Sequence, residues 1–266
     1  MVTVALVRAV GALSLLMLLF IILMLSLSPR FPARLPPPDN NAETGGKGEP
    51  VLTIEFMKTG DEVHKFLNGC KEDEKLPCGR EDDSAMRQKI RRSLIWDNVL
   101  IAAYWLLFVG LSLLLAQRKW PGGAALWLAA FAALCGTGAA ISDTTENARA
   151  LVLLDAEKVT VPLHQTLAAA SDEKWLLIGL ATLALSPLFL WAGDTRSRLG
   201  GGALFLLYLA AGVLIILGVF TGEPGLITAA IIPYLVGLIA VWALFTFGSP
   251  WVAQRLRGLD DGGKVL

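Results

Sequence analysis

The amino-acid sequence predicts an all-α membrane protein, with six transmembrane helices and a small extracytoplasmic α/β cap between helices 1 and 2. Two observations predict this class. Hydrophobic residues make up 55% of the chain, which is more apolar surface than a soluble protein of this length could bury. The apolar residues also fall into runs close to the ~20 residues that a helix needs to cross a bilayer. Six runs are present, at approximately 5–28, 94–116, 124–142, 175–193, 203–220 and 226–247.

The first run and the segment after it predict an anchor followed by a linker. Residues 1–28 form an N-terminal transmembrane anchor, because the apolar run is too long for a signal peptide and no small-x-small cleavage site follows before Pro29. Residues 29–50 are rich in Pro and Gly and cannot form a regular element. They are predicted to tether the anchor loosely to the rest of the chain.

Residues 51–93 predict a small extracytoplasmic cap of mixed structure. Its first residues favour a β-strand, and Thr59 with Glu62 makes a capping box for a short helix. Cys70 and Cys78 lie eight positions apart in this hydrophilic segment, a spacing that a disulfide can close in an oxidising compartment. The alternative is a pair of reduced thiols facing the cytoplasm. A cap of this size needs the disulfide or the membrane domain to hold its fold.

Residues 94–250 predict a five-helix membrane bundle, and residues 251–266 a cytoplasmic tail. A helical spacing of apolar residues begins after Asp83 and continues into the second run, so one long helix is expected there. Short connections between the later runs predict antiparallel neighbours. Pro187 and Pro233 lie inside the fourth and sixth runs, where each is expected to bend its helix.

The distribution of basic residues predicts a multi-pass protein of the cell (inner) membrane with both termini in the cytoplasm. The positive-inside rule favours this orientation. The predicted inner segments hold Arg8, Arg118, Lys119, Arg196, Arg198, Arg255, Arg257 and Lys264, and the short outer connections hold only Arg149, Lys158 and Lys174. One basic cluster opposes it: Arg87, Lys89, Arg91 and Arg92 precede the second run on the predicted outer side. We give it less weight, because long translocated segments are less sensitive to charge.

Two polar groups of residues interrupt the apolar helices near the predicted outer surface. The first comprises Asp97, Asn98 and Tyr104 at the start of the second run. The second, at the end of the third run, comprises Asp143, Glu146, Asn147 and Arg149. Asp143, Glu146 and Asn147 share one helix face if the third helix continues to residue 154, and Glu146 could then pair with Arg149. Because the second helix enters and the third leaves on the same side, the two groups are expected to meet in one polar intramembrane cluster.

Three interpretations of this cluster stay open at the level of sequence. Ionisable groups at membrane depth are costly unless paired, and they commonly line a pathway or site. Polar side chains between membrane helices also act simply as structural links. A third interpretation places Asp143 and the residues after it in the headgroup layer, as an ordinary solvated helix end.

The motif pair Asp97-x6-Tyr104 and Asp143-x2-Glu146-Asn147 resembles a pair of motifs on adjacent helices of uncharacterised bacterial multi-pass membrane proteins. Those proteins similarly place a short extracytoplasmic segment before the Asp-Tyr helix. The resemblance covers approximately residues 51–155 and implies a shared membrane fold. It implies no activity and no catalytic role for any residue.

Composition and motifs exclude several classes of function. The formal net charge is zero, so no overall field favours nucleic acid as a partner. The sequence predicts neither a cofactor nor a metal site: it has no Walker loop, dinucleotide fingerprint or nucleophile elbow, and no His spacing typical of a metal site. The expected partners are the lipid bilayer and a possible membrane protein.

The sequence therefore predicts an integral membrane protein with a non-enzymatic sensing, accessory or partner-binding role. One alternative is an ion- or proton-coupled transporter, in which Asp97, Asp143 and Glu146 take up the ion. A second alternative is a membrane enzyme that acts on lipid headgroups with the same carboxylates. A transporter needs solvent access to the cluster from both sides, an enzyme needs an open pocket, and an accessory protein needs a paired, dry cluster.

Overall fold

A computed structural model of the chain describes residues 4–27, 83–117, 123–155, 161–190, 195–248 and 252. These residues are almost entirely helical and contain no strand, which confirms the all-α class for the described part of the chain. The α-helices there are α1 (Val4–Leu27), α2 (Asp83–Leu115), α3 (Ala124–Asp155), α4 (Val161–Leu185), α5 (Thr195–Thr221) and α6 (Pro224–Phe247). A short 3₁₀-helix, Ser186–Phe189, follows α4. Most of the predicted cap, with Cys70 and Cys78, and the predicted linker lie outside the described residues.

Among the described residues, five helices are long and apolar enough to cross a membrane, which indicates a membrane protein. The candidate spans are Val4–Ile22, Ile90–Leu115, Ala124–Asp155, Leu199–Thr221 and Pro224–Phe247. They correspond to five of the six predicted runs. The fourth run differs, because α4 begins at Val161 rather than near residue 175 and includes Asp172, Glu173 and Lys174. Three adjacent charged residues interrupt its apolar sequence, and α4 is not among the candidate spans found in the described residues.

Helix boundaries confirm the predicted extension of α2, fulfil the condition on which the shared face of α3 depended, and change the expected place of one bend. Helix α2 begins at Asp83, and α3 continues without interruption to Asp155. Pro233 lies inside α6 as predicted. Pro187 does not lie inside α4, which ends at Leu185; it occupies the first turn of the 3₁₀-helix instead. The missing amide of proline explains why the α-helical hydrogen bonds stop there.

The chain divides into two compact units. The first comprises Met1–Phe20, Leu100–Ser142 and Asp172–Leu266, and the second comprises Ile21–Val99 and Asp143–Ser171. In the first unit, α5 and α6 form an antiparallel hairpin. Its turn contains Gly222, whose φ of 66° suits a residue without a side chain. Gly218 lies against Ile227 near the turn, and Gly237 lies against the ring of Tyr208 further along.

Small residues let the helices of the first unit approach closely. A Cβ added at Gly212 in α5 would lie 3.0 Å from the carbonyl oxygen of Gly179 in α4. A Cβ added at Gly136 in α3 would lie 2.7 Å from the Cβ of Phe108 in α2. Contacts of this kind are typical of membrane helices, which associate through close packing because the lipid is as apolar as their side chains.

Candidate functional site

The polar residues predicted from the sequence concentrate in the second unit, on the last three turns of α3. The buried positions there are Asp143, Glu146, Asn147, Ala150, Leu153 and Leu154. Their spacing of three and four residues defines one helix face, as the sequence predicts. The face begins with polar side chains and ends with apolar ones. Thr144, Ala148 and Val152 lie on the opposite, exposed face.

Asn147 connects α3 to α2 through its side-chain amide. The amide nitrogen Nδ2 donates one hydrogen bond to Oδ2 of Asp97 at 2.8 Å and one to Oδ1 of Asn98 at 3.3 Å. Both amide hydrogens of Asn147 are therefore used. The amide of Asn98 in turn donates to the backbone carbonyl of Leu94 at 3.0 Å, one turn earlier in α2. We call Asp97, Asn98 and Asn147 the amide junction.

Burial differs across the amide junction. Asn147 is only 3% exposed, Asp97 is half-buried, and Asn98 is exposed. A buried amide that lost its acceptors would pay most of its desolvation cost, on the order of 1–3 kcal/mol. The contact to the Asp97 carboxylate involves a charged acceptor and is therefore the stronger of the two kinds of bond. The junction thus holds α3 against α2. Its residue on α3 is buried, whereas its two residues on α2 are more exposed to solvent.

Two carboxyl groups share the buried face of α3 with Asn147. Asp143 is 6% exposed and Glu146 is 2% exposed. Burial of ionisable groups to this degree is rare in proteins unless they are paired or functional. The structure therefore places Asp143 and Glu146 beside the amide junction, within one helical turn of Asn147.

Arg149 and Arg91 make the ionic and polar contacts around the junction. The guanidinium of Arg149 donates to the backbone carbonyl of Thr166 in α4, a partner that the sequence did not predict. Arg91 in α2 forms an ion pair with Asp155 at the end of α3, at 2.5 Å, with both side chains at least half exposed. These contacts link α3 to α4 and α2 to α3.

Tyr104, the remaining residue predicted for the site, lies in the first unit. Its side chain is 5% exposed, and its ring packs edge-to-face on Phe108 with the ring centres 6.3 Å apart. This contact is aromatic packing within α2. The structure thus brings Asp97, Asn98 and Asn147 into direct contact and places Tyr104 in an aromatic contact of its own.

Lys174 is a buried charged residue that the sequence analysis assigned to an outer connection. The structure places it inside α4, where it is only 3% exposed. Its ammonium group lies 5.3 Å from the ring centre of Trp175, within range of a cation–π attraction. In the sequence, the signal for this position within a helix was the charged triplet Asp172-Glu173-Lys174 beside an apolar run.

The chemistry available at the amide junction is hydrogen bonding and proton uptake. Amides and carboxylates can hold helices together, bind a polar group or take up a proton. The described residues contain no group of three or more His, Cys, Asp or Glu side chains arranged to hold a metal ion. No Ser, Cys or His side chain takes part in the hydrogen bonds of the junction given above.

Comparisons of the chain with protein-family models, with curated proteins and with solved structures found no match. The resemblance of the Asp97 and Asp143 motifs to bacterial multi-pass membrane proteins stays a prediction. The geometry of the second unit supplies the observations for the proposals that follow.

Proposed function

We propose that this chain is a multi-pass integral membrane protein with a non-enzymatic sensing, accessory or partner-binding role. The observation that carries the proposal is the amide junction, in which Asn147 donates to both Asp97 and Asn98. The donors of the Asn147 side chain are used between helices, so they are not directed toward a substrate. This arrangement favours a structural link that keeps two membrane helices in a fixed relation.

The proposed role needs the junction to remain intact while a membrane-protein partner is bound. We expect the chain to run in a larger complex than the purified protein when its native membranes are extracted in a mild detergent. Replacing Asn147 with Leu should release the partner, because α3 loses its fixed relation to α2. Ala148→Leu is the matched control, since Ala148 lies on the exposed face of the same helix turn. Native gel electrophoresis of both variants measures the size of the complex. An unchanged complex in Asn147→Leu membranes would contradict the proposed role.

A proton-coupled transporter is the second candidate, and the burial of Asp143 and Glu146 favours it. Carboxyl groups 6% and 2% exposed on a candidate span are the kind of residues that carry protons in membrane carriers. The test is reconstitution in liposomes that contain a pH-sensitive dye, with an imposed pH gradient. The accessory role predicts no proton movement beyond that of protein-free liposomes. Proton movement that disappears in Asp143→Asn would favour the transporter and count against the accessory role.

The proposed topology has six spans in the cell (inner) membrane, with both termini in the cytoplasm. In this topology α4 and the 3₁₀-helix after it supply the fourth crossing, and the cap with its Cys70–Cys78 disulfide lies outside. The support is the excess of basic residues in the predicted inner segments. Single cysteines at Lys71 and Arg198, introduced after removal of the native cysteines, test it with a membrane-impermeant reagent. Labelling of the Arg198 position from outside would reverse the orientation.

The proposed disulfide is tested separately by alkylation of the native, unreduced protein. Cys70 and Cys78 should stay unlabelled until a reductant is added, because their thiols are joined. Cys135 is buried in α3 and provides an internal control that reacts only after unfolding. Rapid labelling of Cys70 without reductant would remove the disulfide from the proposal.

A further inference from the structure

The basic cluster before the second span is the feature that neither the topology nor the amide junction explains. The cluster comprises Arg87, Lys89, Arg91 and Arg92 in α2. The acidic residues Glu81, Asp82 and Asp83 precede it in the sequence, and Asp97 follows it. Asp97 already accepts a hydrogen bond from Asn147. Arg91 is compensated by Asp155. The positive charge of Arg92 lies at the very start of the candidate span Ile90–Leu115.

Helix α2 has two different faces at this point. Ile90 and Leu94 are each 1% exposed and form the buried face of the helix. Arg92 lies on the exposed face and is followed at helical spacing by apolar side chains. These side chains, which we call the lipid stripe, are Ile95, Trp96 and Val99, at 59%, 45% and 41% exposure.

We propose that Arg92 and the lipid stripe bind one anionic phospholipid. The guanidinium of Arg92 holds the phosphate, for which its planar fork of donors is suited. The lipid stripe then lies along the first part of an acyl chain, and Trp96 sits where an indole commonly bridges headgroup and hydrocarbon. An anionic lipid is favoured over a zwitterionic one because no acidic residue lies one helical turn from Arg92: the residues three and four positions away are Gln88, Lys89, Ile95 and Trp96.

The test measures which lipid the purified full chain retains. The protein is equilibrated with an equimolar mixture of phosphatidylglycerol and phosphatidylcholine with identical acyl chains, and bound lipid is counted by native mass spectrometry. We expect about fivefold enrichment of phosphatidylglycerol, corresponding to roughly 1 kcal/mol for one arginine at a membrane surface. Arg92→Gln should abolish the enrichment and Arg92→Lys should keep part of it. Arg8→Gln, at an exposed arginine of α1, is the matched control and should keep all of it.

The outcomes separate a bound lipid from other occupants of the same face. Val99→Asn should lower the retention of both lipids, because it makes the stripe polar while leaving Arg92 in place. Displacement of the lipid by free glycerol phosphate at matched concentration would show a phosphate site without a lipid chain, and would overturn the proposal. The proposal would also be overturned if the wild-type protein retained the two lipids equally, or if Arg92→Gln kept the full enrichment. Either result would mean that neutral lipid or a partner helix covers this face.

Discussion

Two helix pairs in this chain are held together by different physical interactions. The α5–α6 hairpin packs through small residues and aromatic rings, with Gly218 against Ile227 and Gly237 against Tyr208. The pair formed by α2 before Leu100 and α3 after Ser142 packs through the amide junction and the ion pair Arg91–Asp155. The hairpin depends on the absence of side-chain atoms, and the α2–α3 pair depends on the presence of polar ones.

The difference shows which pair can respond to chemical conditions. Close packing of glycine against a neighbouring helix has no titratable group and is insensitive to salt. A carboxylate that accepts a hydrogen bond, or an exposed ion pair, changes with protonation and ionic strength. The proposed sensing role would therefore act through the polar contacts of the second unit, and the α5–α6 hairpin is expected to stay a fixed scaffold. The predictions below test this contrast.

The largest expected effect is steric and falls on the hairpin. A Cβ at Gly218 would lie 2.6 Å from Cγ1 of Ile227 and 3.1 Å from its backbone nitrogen. Gly218→Val should therefore force α5 and α6 apart and lower the free energy of unfolding by about 2–3 kcal/mol, in the upper part of the range for overpacked cores. Reversible unfolding in mixed detergent and denaturing micelles measures this change.

Gly202 provides the matched control for the steric argument. It also lies in α5, but a Cβ there would meet no atom within 4 Å. Gly202→Val should change the free energy of unfolding by less than about 0.5 kcal/mol, since Gly and Val differ little in helix propensity. Equal effects of the two substitutions would mean that helix propensity, rather than close approach, explains the glycines of α5.

The second effect falls on the amide junction. Asn147→Leu keeps the number of side-chain heavy atoms and the branching at Cγ, and it removes both donated hydrogen bonds. We expect a loss of about 1–2 kcal/mol in the free energy of unfolding, since polar contacts between membrane helices are worth about 0.6 kcal/mol on average and up to ~1.7, and desolvated acceptors add to this. Ala148→Leu, measured in the same micelles, should have little effect because Ala148 is exposed.

A double-mutant cycle locates that effect at the contact itself. Asp97→Ala and Asn147→Ala should together cost less than the sum of the single substitutions, with a coupling of about 1 kcal/mol. The pair Asp97→Asn and Asp143→Asn gives the corresponding test for the wider polar cluster. Simple additivity in both cycles would leave these residues as independent helix ends and remove the basis for a shared site.

Hydropathy and helical periodicity alone predicted much of this architecture. Five runs correspond to candidate spans, and the long helix α2 was predicted from its acidic start and its apolar spacing. The continuation of α3 to Asp155 was only a condition at the level of sequence, and the structure fulfils it. The common face of Asp143, Glu146 and Asn147 also followed, because a helix places residues three and four apart on one side. The functional role of these three residues stays a prediction.

Other features could not be predicted because they depend on neighbours distant in sequence. Lys174 is buried in α4, although its charge suggested an exposed connection; a lysine stem can cover apolar surface while its ammonium finds a partner. The acceptor of Arg149 is a backbone carbonyl, and carbonyls carry no signal in the sequence. The close glycine contacts require the crossing of two helices, which no single helix pattern specifies.

Tyr208 is an exception within the α5–α6 hairpin, because it places a polar atom inside an apolar contact. Its side chain is 1% exposed, its ring lies 4.9 Å from that of Phe189, and its hydroxyl has no hydrogen-bond partner among the described residues. Tyr208→Phe should raise the free energy of unfolding by up to about 1 kcal/mol, since it removes the cost of a buried unpaired hydroxyl. Tyr234→Phe in α6 is the control. A loss of more than about 1 kcal/mol in Tyr208→Phe would mean that the hydroxyl has a partner, and the hairpin would no longer be a purely apolar contact.

The smallest expected effect concerns the ion pair between Arg91 and Asp155, and it separates the exposed from the buried polar contacts of the second unit. The two side chains are 50% and 64% exposed, so water and salt screen their attraction despite a separation of 2.5 Å. Arg91→Gln should lower the free energy of unfolding by only about 0.2–0.5 kcal/mol at low ionic strength. The difference should vanish near 1 M salt, where the screening length falls to about 3 Å. The Asn147→Leu effect should persist in the same high-salt micelles, because its donor is buried. If salt abolished both effects equally, the amide junction would be as solvated as the ion pair, and the contrast between the buried amide of Asn147 and the exposed ion pair would be wrong.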